Sequence, residues 1–183
     1  MPIIDTQIVF DAETLWTLHY SDAKNSTSDN PYPLPHENIR MIVPDVYLQD
    51  PKTQATADLA IRAELGDQIR WSGITLSEDI QYSVVIYDIF PTPGVTGNVE
   101  VTGKPMPELA HPKVPIPKEK QDHTIDPLDY TPTVLPEYYL SCDVTDHGKE
   151  YYSVRFYITH GMATDTRFNA LYFQWDPTIT VFE

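Results

Sequence analysis

The sequence is short of several residue types, and each scarcity excludes a class of protein. It has one cysteine, Cys142, so no internal disulfide can form and nothing indicates an oxidising compartment. Its 7 glycines form neither the phosphate-binding turns of the common nucleotide folds nor the nucleophile elbow of α/β-hydrolases. It also lacks a run of about 18 apolar residues, which a membrane-spanning helix needs.

The N-terminus has no basic and apolar regions of the kind that make a secretory signal. A chain that had already been processed would look the same. The sequence therefore predicts a soluble, cytoplasmic protein.

Basic residues are also scarce, with 12 Lys and Arg against 27 Asp and Glu, for a formal charge of -15. A surface of this sign repels phosphate backbones and the anionic cytoplasmic leaflet. We therefore expect no nucleic-acid partner and no membrane partner. The excess charge by itself is explained by solubility, because net charge does not determine a fold.

The stretch from Leu65 to Phe90 has the clearest strand patterns. Gly66-Asp67 predicts a turn, since glycine adopts positive φ at little cost and aspartate tolerates turn geometry. Apolar and polar residues alternate over residues 59–64 and 68–71, which predicts two flanking strands of a half-buried antiparallel sheet. Beyond residue 80 both faces are apolar, which predicts a central strand.

The same alternation recurs along the chain. It predicts further strands at Ile39–Val43, Lys149–His160 and Leu171–Trp175, and a last one through Ile179 and Val181. Ile3–Phe10 also predicts a strand, but its pattern is too irregular to fix the register. Asp11 is placed to cap a short helical turn, with a continuing strand as the alternative. Residues 21–37 predict a surface loop and residues 161–169 a polar connection. About nine short strands with polar turns indicate two packed antiparallel sheets.

Residues 91–136 hold ten of the 17 prolines. Proline cannot donate a ladder hydrogen bond, so this segment predicts a long surface excursion with one edge strand, Asn98–Thr102. Strands of matching character lie on both sides of it, which favours an excursion over a linker between domains. The predicted fold is therefore all-β: a single-domain antiparallel β-sandwich over residues 1–183, with a long proline-rich surface excursion at 91–136.

Several of these stretches resemble the bacterial PixA/AidA inclusion-body protein family. The resemblance lies in VFDAETL, IRMIVPD, LGDQIRW, SEDIQYSVVIYDIFP and YFQWDPTITV, and so covers most of the chain outside the proline-rich segment. It implies a cytoplasmic, non-catalytic, β-rich protein. Some members of the family form abundant inclusion bodies, and others are produced under quorum-sensing control.

No residues suggest a catalytic, cofactor-binding or metal site. The six histidines are dispersed, with no HExxH and no paired Cys/His spacing. His123, Asp126 and Asp129 come closest to a cluster, but in a proline-rich acidic loop they are expected to be solvated rather than to bind a cation. Cys142 has strand spacing among apolar residues, which favours a buried thiol over a nucleophile.

The functional prediction is a self-associating, non-catalytic protein that forms a homo-oligomer, a dimer or larger. The alternative is a lectin-like module that binds a glycan or small ligand through exposed aromatic residues and polar loops. The family-signature positions Gly66, Asp67, Trp71, Trp175, Asp176 and Pro177 are predicted to be structural. Pro177 is expected to break the ladder, so that the last strand bends or changes sheets.

Overall fold

The computed structural model describes residues 2–77, 80–161 and 169–183. It consists mostly of β-strands, with one α-helix, α1 (Ala12–Ala23), and a 3-10 turn at Pro51–Thr53. The strands are β1 (Ile3–Phe10), β2 (Tyr32–Pro33), β3 (Ile39–Ile42), β4 (Asp58–Arg62), β5 (Gln68–Thr75), β6 (Tyr82–Pro91), β7 (Met106–Ala110), β8 (Lys113–Glu119), β9 (Ile125–Val134), β10 (Glu137–Asp143), β11 (Gly148–His160), β12 (Asn169–Trp175) and β13 (Thr178–Phe182). The predicted connection at 161–169 falls mainly on residues 162–168, which lie outside the described residues.

Two sheets face each other around one core. The first sheet has the order β3-β1-β5-β10-β7, and the second has the order β2-β12-β11-β13-β4 with β6 added on β11. Aromatic contacts join the sheets: the rings of Phe10 and Phe156 are 4.5 Å apart, and those of Trp71 and Tyr152 are 5.4 Å apart. The predicted β-sandwich is confirmed.

The sandwich is mixed rather than purely antiparallel. β1 pairs in parallel with β5, β12 with β2, and β13 with β4. Parallel neighbours need long connections, and the chain between β1 and β5 supplies one that holds α1, β2, β3 and β4. The period-2 pattern predicts strands and their buried faces, but it does not contain their relative direction.

The two strands beside Gly66-Asp67 do not pair with each other, contrary to the prediction. β4 pairs with β13 in the second sheet, whereas β5 pairs with β1 and β10 in the first. The turn therefore carries the chain from one sheet to the other. Each strand buries one apolar face toward the shared core, so alternation alone could not distinguish this crossing from a hairpin.

β6 is an edge strand, so the prediction of a central strand was wrong. Among the described residues it pairs only with β11. Its apolar run reflects a β-bulge: Ile86 lies opposite Phe156 and Asp88 opposite Arg155, which leaves Tyr87 as the extra residue. A bulge reverses the alternation, and beyond it Ile89 is buried.

Asp11 caps the helix as predicted, accepting a hydrogen bond from the Thr14 N–H at 3.2 Å. The helix then continues to Ala23, past the short turn and into the predicted loop. Its apolar side packs on the second sheet, where the Trp16 ring lies 6.1 Å from the Tyr82 ring. Tertiary burial thus extends a helix whose sequence shows little amphipathic pattern.

The proline-rich segment forms three strands, and none is at Asn98–Thr102, where only Thr102 makes a bridge, to Val144. β7 extends the first sheet, and β8 pairs with β9 as a separate hairpin. Pro115 lies opposite Pro132. Antiparallel partners alternate between hydrogen-bonded and non-bonded pairs, and two prolines without N–H fit the non-bonded kind. Prolines at every second position are therefore compatible with the ladder.

Candidate functional site

The residues considered for catalysis or metal binding do not converge. Cys142 is buried, and desolvation raises the pKa of its thiol to about 11, with the nearby Trp71 indole and Thr102 hydroxyl acting in the opposite direction. A thiol with this pKa is protonated near neutral pH and inert as a nucleophile. No three His, Cys, Asp or Glu side chains come together as metal ligands within the described ranges.

His123, Asp126 and Asp129 each contact a different side chain near the tip of the β8–β9 hairpin. His123 Nδ1 is 2.5 Å from Glu119, Asp126 is 3.1 Å from Lys120 Nζ, and Asp129 is 2.8 Å from Lys118 Nζ. Each of the three side chains therefore has its partner within the same hairpin, and the three do not converge on one point. All three pairs are solvent-exposed, so each contributes little to stability.

Gly66 and Asp67 form the turn between the two sheets. Gly66 has φ +88°, a conformation that favours glycine. Asp67 is buried, and its carboxylate accepts the Glu64 N–H at 2.9 Å, which closes the turn. A structural role for both stays a prediction, and these contacts support it.

Trp71 and Trp175 lie in the core, with exposed fractions of 2% and 0%. Both indole N–H groups lack a partner with hydrogen-bonding geometry in the described structure. That of Trp71 is near enough to the Cys142 sulfur to favour its thiolate. Buried indoles of this size contribute chiefly through packing.

Asp176-Pro177 interrupts the strand without moving it to another sheet. Trp175 lies opposite Val154 and Thr178 opposite Tyr151, so β12 and β13 follow β11 in one register. The Asp176 carboxylate accepts the Ser153 hydroxyl at 2.6 Å. The Gln174 side-chain amide donates to the same oxygen at 3.3 Å, so both of these donors are side-chain groups.

The first of two surfaces with binding features is the proline arm, defined as residues 111–135. Its strands β8 and β9 pair only with each other, and no strand or helix of the described sandwich packs along them. An isolated two-stranded hairpin is marginally stable in water. The arm therefore gains stability from any surface that covers it.

The faces of the arm are apolar, and its charge is low. Leu128 is 89% exposed, the largest such value among the exposed apolar residues. Other exposed apolar side chains on the arm are Ile116, Ile125, Tyr130, Val134 and Leu135. The arm has three lysines and four carboxylates, so it carries -1 of the -15 formal charge and the remaining residues carry -14.

The second surface is the tyrosine cleft, a pocket of about 530 Å³ between β5, β6 and β10. It opens because β10 pairs with β5 only as far as Leu140 opposite Trp71, after which β10 pairs with β7 alone. β6 forms the opposite wall. Gly73 permits this, since a Cβ there would lie 3.3 Å from side-chain atoms of Val84 and Ile86.

Polar groups line one side of the cleft and are partly fixed in place. The Arg70 guanidinium lies 4.9 Å from the centre of the Tyr139 ring. The Tyr139 hydroxyl donates to Glu108 at 3.0 Å, and the Ser141 hydroxyl donates to the same carboxylate. Both bonds lower the pKa of Glu108, and the bond from Ser141 has the larger effect. Arg70 makes no ion pair within the described part of the chain.

Aromatic rings continue from the cleft across the outer face of the second sheet. Tyr138, on the cleft wall, is 37% exposed. Its pKa is raised, first by burial and then by the neighbouring Tyr157. The Tyr157 ring is 6.3 Å from Tyr87 and 5.7 Å from Tyr172. The Tyr87, Tyr157 and Tyr172 rings, from three strands, thus form one aromatic strip, and Tyr138 is close enough to Tyr157 to interact with it electrostatically.

Sequence reasoning predicted exposed aromatic residues as possible ligand contacts in general terms, but it located neither surface. Arg70 and Tyr139 lie far apart in the chain and meet only because β5 and β10 pair. The arm had one available signal, the spacing of Pro115 and Pro117 by two residues, which places both on one strand edge.

Among the described residues, the structure has no helix with the length and apolar character needed to cross a membrane. A sequence profile for the inclusion body protein PixA matches residues 2–181. A crystal structure of the PixA inclusion body protein from Burkholderia cenocepacia superposes with a TM-score of 0.73 at 15% identity, covering 99% of this chain and 96% of that one. A search of curated proteins gave no match. At this identity the crystal structure shows a shared fold, while the profile match spans nearly the whole sequence. The chain therefore belongs to the PixA family of inclusion body proteins.

Proposed function

We propose that this protein is a non-catalytic, self-associating protein whose copies meet through their proline arms. The observation that carries the proposal is the arm itself, an exposed hairpin with apolar faces and no covering element among the described residues. Family membership supports an assembled form, in which the protein accumulates in cytoplasmic inclusion bodies.

The edges of the arm do not favour extension by further strands. Pro115 and Pro117 remove two N–H groups from the outer edge of β8, and Pro132 removes one from β9. Strand addition needs a regular row of donors. The arm therefore associates through its faces, which gives a closed contact rather than an open-ended sheet.

A second copy of the chain is the partner that charge favours. Two copies with -15 each repel over most of their surfaces. The arm is nearly neutral, so bringing two arms together costs the least electrostatic free energy. A twofold axis between arms makes the contact self-complementary and is the commonest closed arrangement.

The test is light scattering on the full chain and on the variant Leu128→Asp. The new carboxylate would be desolvated in the arm contact, so we expect the dissociation constant of the dimer to rise about tenfold or more. Val46→Asp is the matched control, because Val46 is 75% exposed and lies outside the arm.

Replacement of residues 112–135 by a short Gly/Ser linker provides a second variant. We expect it to be monomeric with an unfolding transition close to that of the parent. A parent protein that is monomeric at high concentration contradicts the proposal, as does a dimer that withstands both changes to the arm.

A further inference from the structure

We infer that the tyrosine cleft binds a neutral saccharide, which would give this protein a ligand in addition to its self-association. The cleft borders the base of the proline arm at Ala110 and Pro136 but is lined by none of the arm's own residues, and its volume of about 530 Å³ lies in the range of small-molecule pockets. Its shape comes from strands rather than loops: β5 and β1 form the floor, and β6 and β10 the walls. A pocket built in this way is preorganised.

The charges in the cleft narrow the class of ligand. Arg70 is the cation, and Asp5 and Glu137 line the same space as anions. An anionic ligand would meet two carboxylates and a molecule of charge -15. A wholly apolar ligand would desolvate Arg70 and the carboxylates without replacing their hydrogen bonds, which costs free energy. A neutral ligand that both donates and accepts hydrogen bonds meets neither penalty.

The side chains that line the walls indicate which groups that ligand carries. Apolar atoms of Ile74, Val84 and Ile86 and the exposed Tyr138 ring line the same pocket as polar groups of Arg70 and Gln7. A sugar ring has one apolar C–H face and a rim of hydroxyl groups. Its face can stack on Tyr138 while its hydroxyls accept from the Arg70 guanidinium and donate to Asp5 or Glu137.

The aromatic strip extends the site beyond one sugar unit. Tyr157, Tyr87 and Tyr172 are in ring contact on the second sheet, and Tyr157 is close enough to Tyr138 to interact with it electrostatically. Each ring can stack on a further unit, because aromatic stacking requires only an apolar face. Affinity should therefore increase from a monosaccharide to a trisaccharide.

The experiment is saturation-transfer NMR on the full chain with glucose, galactose, mannose and N-acetylglucosamine, and with maltotriose and chitotriose. We expect at least one trisaccharide to bind with a dissociation constant in roughly the millimolar range or below, more tightly than its monosaccharide. Tyr138→Ala should weaken it about 3- to 10-fold by removing the stacking ring. Arg70→Gln should weaken it by about 10-fold through loss of charged donors.

Tyr151→Ala is the matched control, because Tyr151 is an exposed tyrosine on β11 that does not line the cleft. It should leave affinity unchanged. Tyr138→Phe keeps the ring and should retain binding, which separates stacking from any general effect on the fold. The inference is overturned if none of the six sugars binds, if binding is indifferent to Tyr138→Ala, or if a zwitterion such as glycine competes for the cleft more strongly than the sugars.

Discussion

At the scale of single residues, Glu150 is a buried carboxylate whose surroundings shift its pKa. It is 2% exposed, and one carboxylate oxygen accepts the N–H groups of Val101 and Thr102 and the Thr102 hydroxyl. Desolvation is the largest influence and raises its pKa above 4.5, while these hydrogen bonds act in the opposite direction. The side chain joins β11 to the loop that precedes β7.

This raised pKa predicts a dependence of stability on pH. Between the unfolded pKa of Glu150, near 4.5, and its higher folded pKa, the folded state binds more protons than the unfolded chain. Stability from this group is therefore present at low pH and lost as pH rises through that window. Glu150→Gln should flatten the dependence of unfolding free energy on pH in that window, as measured by urea unfolding at a series of pH values. Glu37→Gln is the control for loss of one charge, because Glu37 is exposed and does not contribute to the raised pKa of Glu150. An unchanged slope in Glu150→Gln would contradict this account.

Asp176 provides a second prediction at the residue scale. Its carboxylate accepts the hydroxyl of buried Ser153 at 2.6 Å and the Gln174 amide at 3.3 Å. Asp176→Ala removes these bonds where the strand is interrupted, and should lower the free energy of unfolding by about 1 kcal/mol. Asp45→Ala, at an exposed turn residue without such bonds, should change it by less than about 0.5 kcal/mol. Full stability together with loss of sugar binding would instead identify Asp176 as part of a site.

At the scale of elements, the helix and the proline arm both depend on features beyond local sequence preference. α1 depends on its cap and on the second sheet beneath it, since Trp16 contacts Tyr82 and His160. The arm depends on the placement of its prolines at non-bonded positions of the ladder. The sequence predicted only a short helical turn at α1 and a surface excursion at the arm, and the tertiary position of each segment accounts for the longer helix and the strand pair.

The cap of α1 can be tested directly. Asp11→Ala removes the acceptor for the Thr14 N–H and should destabilise the protein by about 1 kcal/mol. Asp22→Ala, in the last turn of the same helix, removes a charge but no helix-capping hydrogen bond, and it lies where a negative charge is unfavourable. It should therefore be neutral or slightly stabilising in thermal unfolding. Equal losses in the two variants would show that the cap bond is not the cause.

At the scale of the whole molecule, a charge of -15 opposes the association of copies that the arm favours. Salt screens this repulsion, because the Debye length falls to about 8 Å at 0.15 M. Acidification toward the isoelectric point of 4.5 removes the net charge. The average mass measured by light scattering should therefore rise with salt at neutral pH and rise again as pH is lowered toward 4.5. A mass that falls with added salt would mean that opposite charges, not apolar faces, hold the copies together.

The sequence by itself determined the local features whose cause is local. Alternation in β11 and β12 predicts a strand with one buried face, and the Asp11 side chain reaches the Thr14 N–H within one turn. Only the tertiary structure decided which strands pair, that β6 is an edge with a bulge, and that β4 and β5 belong to different sheets. Period-2 patterning is the same for parallel and antiparallel neighbours, and for a hairpin and a crossing between sheets. The cleft is likewise a product of tertiary structure. Arg70 and Tyr139 lie on two strands that are distant in the sequence, and they form one surface because β5 and β10 pair and then diverge.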